Sequence, residues 1–241
     1  MILTRQIRTR LSPLLVADWR EALFIHFRVD PAKIQPLVPL PLDLIDGQAR
    51  VSLVAFTQHR LRPAINSRAA EFLSRPLARH EFLNLRTYVR HNREPGIFFI
   101  SEWIPNPLAV FLGPRLYGLP YKLAQLAYHT TAGYAMRHVA ADVGASSSHF
   151  SCVANWDPNA LGAVSDRDSE SEFLLERYTA YTHHRGVLRR FRIAHEPWLQ
   201  IPVSGTIVRR DLLAQLPLGE PHCAHYSPGL TDVQITAPTR L

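Results

Sequence analysis

Three polar side chains recur at every second position in the stretch FLNLRTYV, Phe82 to Val89: Asn84, Arg86 and Tyr88. In an extended chain a period of two sends all three to one face and leaves Leu83, Leu85, Thr87 and Val89 on the other. Two readings are open: the polar face lines a cavity, or it points to water. In a cavity, Arg86 offers the planar fork that holds a carboxylate through two parallel N–H bonds, with Asn84 and Tyr88 as neutral hydrogen-bonding neighbours. The other role for Arg86 is a structural ion pair with a buried acid, because an unpaired buried guanidinium is costly.

A second candidate lies in GPRLYGLPYKLA, Gly113 to Ala124. Lys33 and Lys122 are the only lysines among 27 basic residues, so Lys122, beside Tyr121, stands out. Strand alternation turns these two side chains to opposite faces, and only one of them can enter a shared cavity. An amine nucleophile must be unprotonated. A lysine at the reference pKa of ~10.4 is free in roughly one molecule in a few thousand at neutral pH, so Lys122 would need burial or a neighbouring cation such as Arg115.

Twelve histidines invite a metal reading. His222-Cys223-Ala224-His225 has neither the helical setting nor the third ligand of a zinc centre, and His183-His184 sits in a turn. No metal site is expected. The sequence contains no GxSxG, P-loop or GxGxxG signature, so no nucleotide or other cofactor is expected either.

A length of 241 residues, 46% of them apolar, suits one core-forming domain over residues 1–241. The net charge of +7 is spread from Arg5 to Arg240, and the densest cluster, Arg189, Arg190 and Arg192, is divided between two strand faces. A solvated surface is the expectation, not a nucleic-acid footprint. Apolar runs such as Leu14 to Ala17 and Gly96 to Ile100 are far short of the ~20 residues of a membrane span. Cys152 and Cys223 form no CxxC, which argues against a disulfide framework. With Arg5, Arg8 and Arg10 followed by too short an apolar run for a secretory leader, the cytoplasm is the expected location.

Nineteen prolines and eleven glycines divide short runs rich in Val, Ile, Phe and Tyr, the pattern of a sheet protein with a few helices. Leu23 to Val29 reads as a strand; Asp30-Pro31 starts a short helix to about Val38. Leu42–Ile45 and Ala49–Phe56 read as a hairpin about Asp46-Gly47. Pro63 to Arg79 reads as a loop able to cover a pocket. Phe82–His91 and Gly96–Trp103 form a second hairpin. Asn106 to Tyr117 reads as a helix with Leu108, Phe111, Leu112 and Leu116 on one face, ended by Gly118. Leu123 to Cys152 reads as two or three strands broken at Gly133 and at Gly144 to Ser148. Asp168 to Tyr178 and Asp211 to Leu216 read as helices, and His183 to Gly186 as another hairpin turn. The fold class is α+β, dominated by antiparallel sheet.

The segments GPRLYGLPYKLA, FLNLRTYVR, EPGIFFISEW, FLLERYTAYT and HYSPGL, in this order except that GPRLYGLPYKLA follows EPGIFFISEW, resemble the DUF2071 (YqjF-like) family, which belongs to the acetoacetate decarboxylase-like superfamily. The likeness runs from about Trp19 to the C-terminus. It implies a strongly bent antiparallel sheet closing into a cone or barrel-like cavity, with helices packed outside, and homo-oligomers by analogy. In the decarboxylases of that superfamily the motif after the helix reads approximately YGYPKK, its first lysine forming a Schiff base and its second lowering the pKa of the first. Laid on it, this chain has Tyr121 at the nucleophile's place and Lys122 at the helper's, so acetoacetate decarboxylation of that kind is not expected. The decarboxylases also place glutamates around the lysine; Glu81 and Glu102 lie near the matching strands, and the motif alone assigns neither to those positions. Asn84 and Arg86 match the family's usual pattern.

Two function classes follow. One is a non-catalytic small-molecule-binding protein, its ligand an oxo acid or related carboxylate held by Arg86, Asn84, Tyr88 and Arg115. The other is a metal-free lyase or decarboxylase-like enzyme in which Lys122 or Tyr121 supplies acid or base.

Overall fold

Alternating apolar residues bounded by turn formers build fourteen strands in the computed structural model, which describes residues 12–65, 67–131, 135–144 and 148–241. The long strands are β1 (Pro13–Val29), β2 (Ala49–Pro63), β3 (His80–His91), β4 (Glu94–Ile104) and β13 (Cys223–Thr236). With β9 (Thr179–His184) and β10 (Val187–Ala194) they pair in the order β13-β1-β2-β3-β4-β9-β10, and a further β13–β10 pairing closes the ring. Short β5 (Tyr121–Leu123), β11 (Ile201–Pro202) and β14 (Thr239–Arg240) join its edges. The expected strongly curled antiparallel sheet is therefore present, with parallel contacts only where β4 meets β5 and β9.

A second sheet, in the order β12 (Ser204–Arg209), β8 (Ser148–Asn155), β7 (Met136–Val143), β6 (Gln125–Thr131), covers part of the outer face of the ring. Leu23, Ile25, Leu53, Leu83 and Leu85 from the ring pack there with Val139, Phe150 and Cys152. The opposite alternation carries Phe24, Val54, Phe56, Phe82, Phe99 and Phe191 into a separate apolar cluster inside the ring.

Four short helices connect the strands: α1 (Pro31–Ile34), α2 (Arg68–Ser74), α3 (Pro107–Leu116) and α4 (Glu170–Leu175). Asp30 and Asn106 cap as expected, each accepting a backbone N–H of the first turn, and Ser67 and Ser169 do the same for α2 and α4. Gly118, at φ +72°, takes the left-handed conformation that ends α3 cheaply.

Several expectations are corrected. The Asp46-Gly47 turn forms with both φ angles positive and is closed by the Ile45–Gln48 bridge, yet the pairing goes no further: Leu42 bridges to Val89, and β2 pairs with β1 and β3. Within Pro63–Arg79, α2 and a 3-10 turn (Arg75–Leu77) replace the expected loop. The late helix is reduced to a 3-10 turn at Asp211–Leu213. Leu108, Phe111 and Leu116 of α3 stay 42%, 54% and 58% exposed instead of forming a buried face. Gly133 and most of the Gly144 to Ser148 break, like Arg5, Arg8 and Arg10, lie outside the described residues.

Candidate functional site

A cavity of about 260 Å³ occupies the inside of the ring, with lining side chains from β1 to β4, β10 and β13, from α3, and from the segment around His195 and Trp198. Strand register stacks these side chains in levels. Ser52 pairs with Arg86 and Arg86 with Phe99 at one level; Phe24, Val54, Asn84, Glu102 and Tyr121 are successive partners at the next. Phe56 and Phe82 follow, then Trp19, Gln58 and His80.

Glu102 reaches the cavity through a β-bulge. Ile97 and Phe99 point inward on β4, the register then slips opposite Leu85 and Arg86, and the inward parity passes from odd to even residues. Glu102 and Ile104 consequently join the inner face, while Trp103 joins the outer core. Glu81, the other candidate glutamate, lies on the outward parity of β3 and does not line the cavity. A similar flip on β1, at the bulge around Glu21 (φ +52°), lets both Trp19 and Phe24 face inward.

The charges inside are sparsely paired. Glu102 is 3% exposed and its Oε2 has no hydrogen-bond partner; burial pushes its carboxyl well above the usual carboxylate range, against the pull of the nearby Arg86 charge. Arg86 donates from Nη2 to the Leu174 carbonyl at 3.2 Å and lies 5.6 Å from the Phe24 ring centroid. Its buried Nε is unpartnered, and no carboxylate among the described residues stands within salt-bridge distance. Asn84 Oδ1 is likewise buried and unpartnered. Arg177 also touches the cavity, but its guanidinium is bound to Asp43 at 3.1 Å and to the Phe173 carbonyl. Burial lowers His80 and His195 to about 4, so both rings are neutral at pH 7.

Tyr121 and Lys122 separate as strand alternation requires. Tyr121 turns inward, edge-on to Phe82 at 5.9 Å, and its phenol is held well above its ordinary pKa by burial, with the Glu102 and Tyr117 charges adding to this. Gly113 of α3 accommodates that ring: a Cβ there would run into it. Lys122 turns to the other face, donates to Ser101 Oγ at 3.0 Å and lies over the Trp103 ring. Lys33 is exposed on α1, so neither lysine of the chain lines the cavity.

Of the remaining candidates, Tyr88 shares the inward parity but is buried below the cavity, its hydroxyl donating to the Leu174 carbonyl at 2.8 Å and lying 2.6 Å from Ser52 Oγ. Arg115 is exposed, donating to the Phe111 carbonyl and stacking on that ring, and does not line the cavity. The structure thus gathers Asn84, Arg86 and Tyr121, adds Glu102, His80 and His195, and leaves Lys122, Arg115 and Tyr88 outside. Among the described residues no group of three or more His, Cys, Asp or Glu side chains could hold a metal ion. No helix among them is long and apolar enough to cross a membrane.

The family model described as "Uncharacterized conserved protein", DUF2071, matches residues 16–231. This chain belongs to the DUF2071 family. It is 34% identical over 185 residues to the uncharacterized protein YqjF of Bacillus subtilis (strain 168), covering 75% of this chain and 72% of that one. Among solved structures, the acetoacetate decarboxylase of Legionella pneumophila superposes with a TM-score of 0.65 at 16% identity, over 95% of this chain and 87% of that one. The enduracididine biosynthesis enzyme MppR, complexed with pyruvate, gives 0.63 at 13% identity, over 96% and 91%. At these identities the likeness is one of fold, which agrees with the curled sheet seen here.

Proposed function

We propose that the cavity binds a small carboxylate, an oxo acid or a close relative, with Arg86 as the anion anchor. The observation that carries this reading is the Arg86 guanidinium: it lines the cavity, partly desolvated, with an orphaned Nε and no carboxylate of the described residues within hydrogen-bond distance. A ligand carboxylate supplies what is missing, two charge-assisted bonds in a low-dielectric site. Asn84 and the Tyr121 phenol supply neutral hydrogen bonds one strand level away, beside the ligand's carbonyl. The fold neighbour MppR is complexed with pyruvate, which supports an oxo acid as the ligand class.

A second reading, acid catalysis, is favoured by Glu102. A neutral carboxyl beside a bound carbonyl can hold a proton on that oxygen as charge develops there, without a metal ion or an imine. In either reading Lys122 takes no part, since its amine lies on the far face of β5.

Calorimetric titration with pyruvate and longer 2-oxo acids, on the wild type and on Arg86→Met, tests the proposal. Binding weakened about 30- to 100-fold by the substitution is expected, the loss of ~2–3 kcal/mol for a charge-assisted pair. Borohydride added to the mixture leaves the mass of the chain unchanged. Equal binding by Arg86→Met, or a reduced adduct on Lys122, refutes the reading.

A further inference from the structure

The polar groups of the cavity are segregated, and the segregation bears on what a ligand must look like. Arg86, Asn84 and Glu102 occupy two adjacent strand levels at one end. Beyond them the wall is aromatic: Phe56 stacks on Phe82 at 5.0 Å, and Trp19 lies 5.4 Å from Phe56 and stacks on Trp198 at 6.0 Å. The neutral His80 and His195, the latter 6.1 Å from Trp19 and 5.6 Å from Trp198, and Gln58, whose amide donates to the Leu77 carbonyl, interrupt it. From Arg86 to His80 is on the order of 20 Å of strand at ~3.3 Å per residue. The wall then continues to the surface through Leu15, which pairs with Ile235, and through Leu116, which lines the cavity while 58% exposed.

Pyruvate has one methyl group with which to cover such a wall. The enclosed space of about 260 Å³ amounts, at the ~30 Å³ a water takes in the liquid, to room on the order of nine heavy atoms. Resting on the carboxylate-binding reading, we propose that the ligand is an amphipathic acid, a carboxylate on an alkyl or aromatic body of roughly pentyl to heptyl or phenyl size, with its head at Arg86 and its tail towards Leu116. Burying that body against the aromatic wall supplies the affinity that a compact oxo acid cannot gain there.

The test is a chain-length series measured by calorimetry: pyruvate, 2-oxobutanoate, 2-oxohexanoate and 2-oxooctanoate, with 1-octanol as a probe lacking the acid. Affinity is expected to rise about three- to fourfold with each added methylene, the equivalent of ~0.8 kcal/mol per buried CH₂, and to level off once the chain emerges at the mouth. Leu116→Gln, a change on the exposed surface of α3 that leaves the core intact, is expected to weaken 2-oxooctanoate several-fold and to leave pyruvate unaffected. An affinity that is flat or falling from pyruvate upward overturns the amphipathic ligand while leaving carboxylate binding in place. Octanol binding as tightly as the acids, or no acid binding at all, overturns the carboxylate reading and this inference with it.

Discussion

Replacing Arg86 by Met in the ligand-free protein separates an anchor for a ligand from a structural ion pair. Met keeps most of the apolar stem and removes the guanidinium that lies over the Phe24 ring. What is lost is one hydrogen bond to the Leu174 carbonyl, ~1.5–3 kcal/mol for a charged donor, and the cation–π contact with Phe24, ~0.5–1 kcal/mol, while that carbonyl retains the Tyr88 hydroxyl at 2.8 Å. What is relieved is the desolvation of a half-buried guanidinium that no carboxylate reaches within hydrogen-bond distance, several kcal/mol, including an orphaned Nε worth ~1–3 kcal/mol. The balance is a gain of about 1–2 kcal/mol. For a chain of 241 residues it raises Tm by about 2–8 °C, at ~2–4 °C per kcal/mol. Differential scanning fluorimetry of the dialysed proteins reads this directly. A fall in Tm of several degrees would mean that the cation is satisfied within the fold, as Arg177 is by Asp43, and the reasoning that leaves Arg86 waiting for a ligand fails.

Further expectations follow from the same cavity. Glu102 holds its proton in the folded chain at pH values where the unfolded chain, at ~4.3, has released it, so stability falls as pH rises through that window. Glu102→Gln removes this slope, and urea midpoints for the two proteins that run parallel above pH 5 would contradict it. His80 and His195, lowered to about 4, act in the opposite sense. Their contribution is complete above pH 6.5 and is lost as pH falls to about 4, up to about 3 kcal/mol each at 1.36 kcal/mol per unit. His195→Gln is expected to flatten that acid limb in pH-dependent denaturation, and an unchanged limb counts against a neutral buried ring. Gly113→Ala drives a methyl into the Tyr121 ring, at a cost of ~1–3 kcal/mol for overpacking; made in the Tyr121→Ala background the same substitution is expected to cost almost nothing, and an equal cost in both backgrounds would place the clash elsewhere.

The sequence shows most where local chemistry decides the outcome. Asp30-Pro31, Asn106-Pro107, Asp46-Gly47 and Arg185-Gly186 set helix starts and turns through capping oxygens and positive φ angles, and each start or turn forms, although the strand pairing expected around Asp46-Gly47 does not. The alternation in FLNLRTYV likewise places Asn84 and Arg86 on the cavity wall. What pattern could not deliver depends on partners far along the chain. Tyr88 has the same parity as Arg86, but Ser52 and α4 close over it. Arg115 sits one turn from Phe111, and that local stack holds it outside. Pattern could not choose Glu102 over Glu81, because the period of two on β4 is broken by a bulge that becomes visible only once β3 and β4 are paired. His195 and Trp198 follow β10 without regular structure, and only ring closure brings them to the cavity.

With Tyr121 on the inner face of β5 and Lys122 on the outer one, the cavity holds a phenol and no amine. Both of the chain's lysines are excluded from the cavity, so covalent capture of a carbonyl has no amine there, while the raised pKa of Tyr121 keeps its phenol neutral and able to donate a hydrogen bond. Glu102 is pushed the same way by the same burial. In the cation-poor interior that results, Arg86 and the neutral histidines face two neutral acids, and the site as proposed is built to hold an anion and to share a proton with it. An arrangement of this kind favours ligands whose own charge completes it, and the uncompensated guanidinium is then the part of the cavity that a ligand cannot leave unanswered.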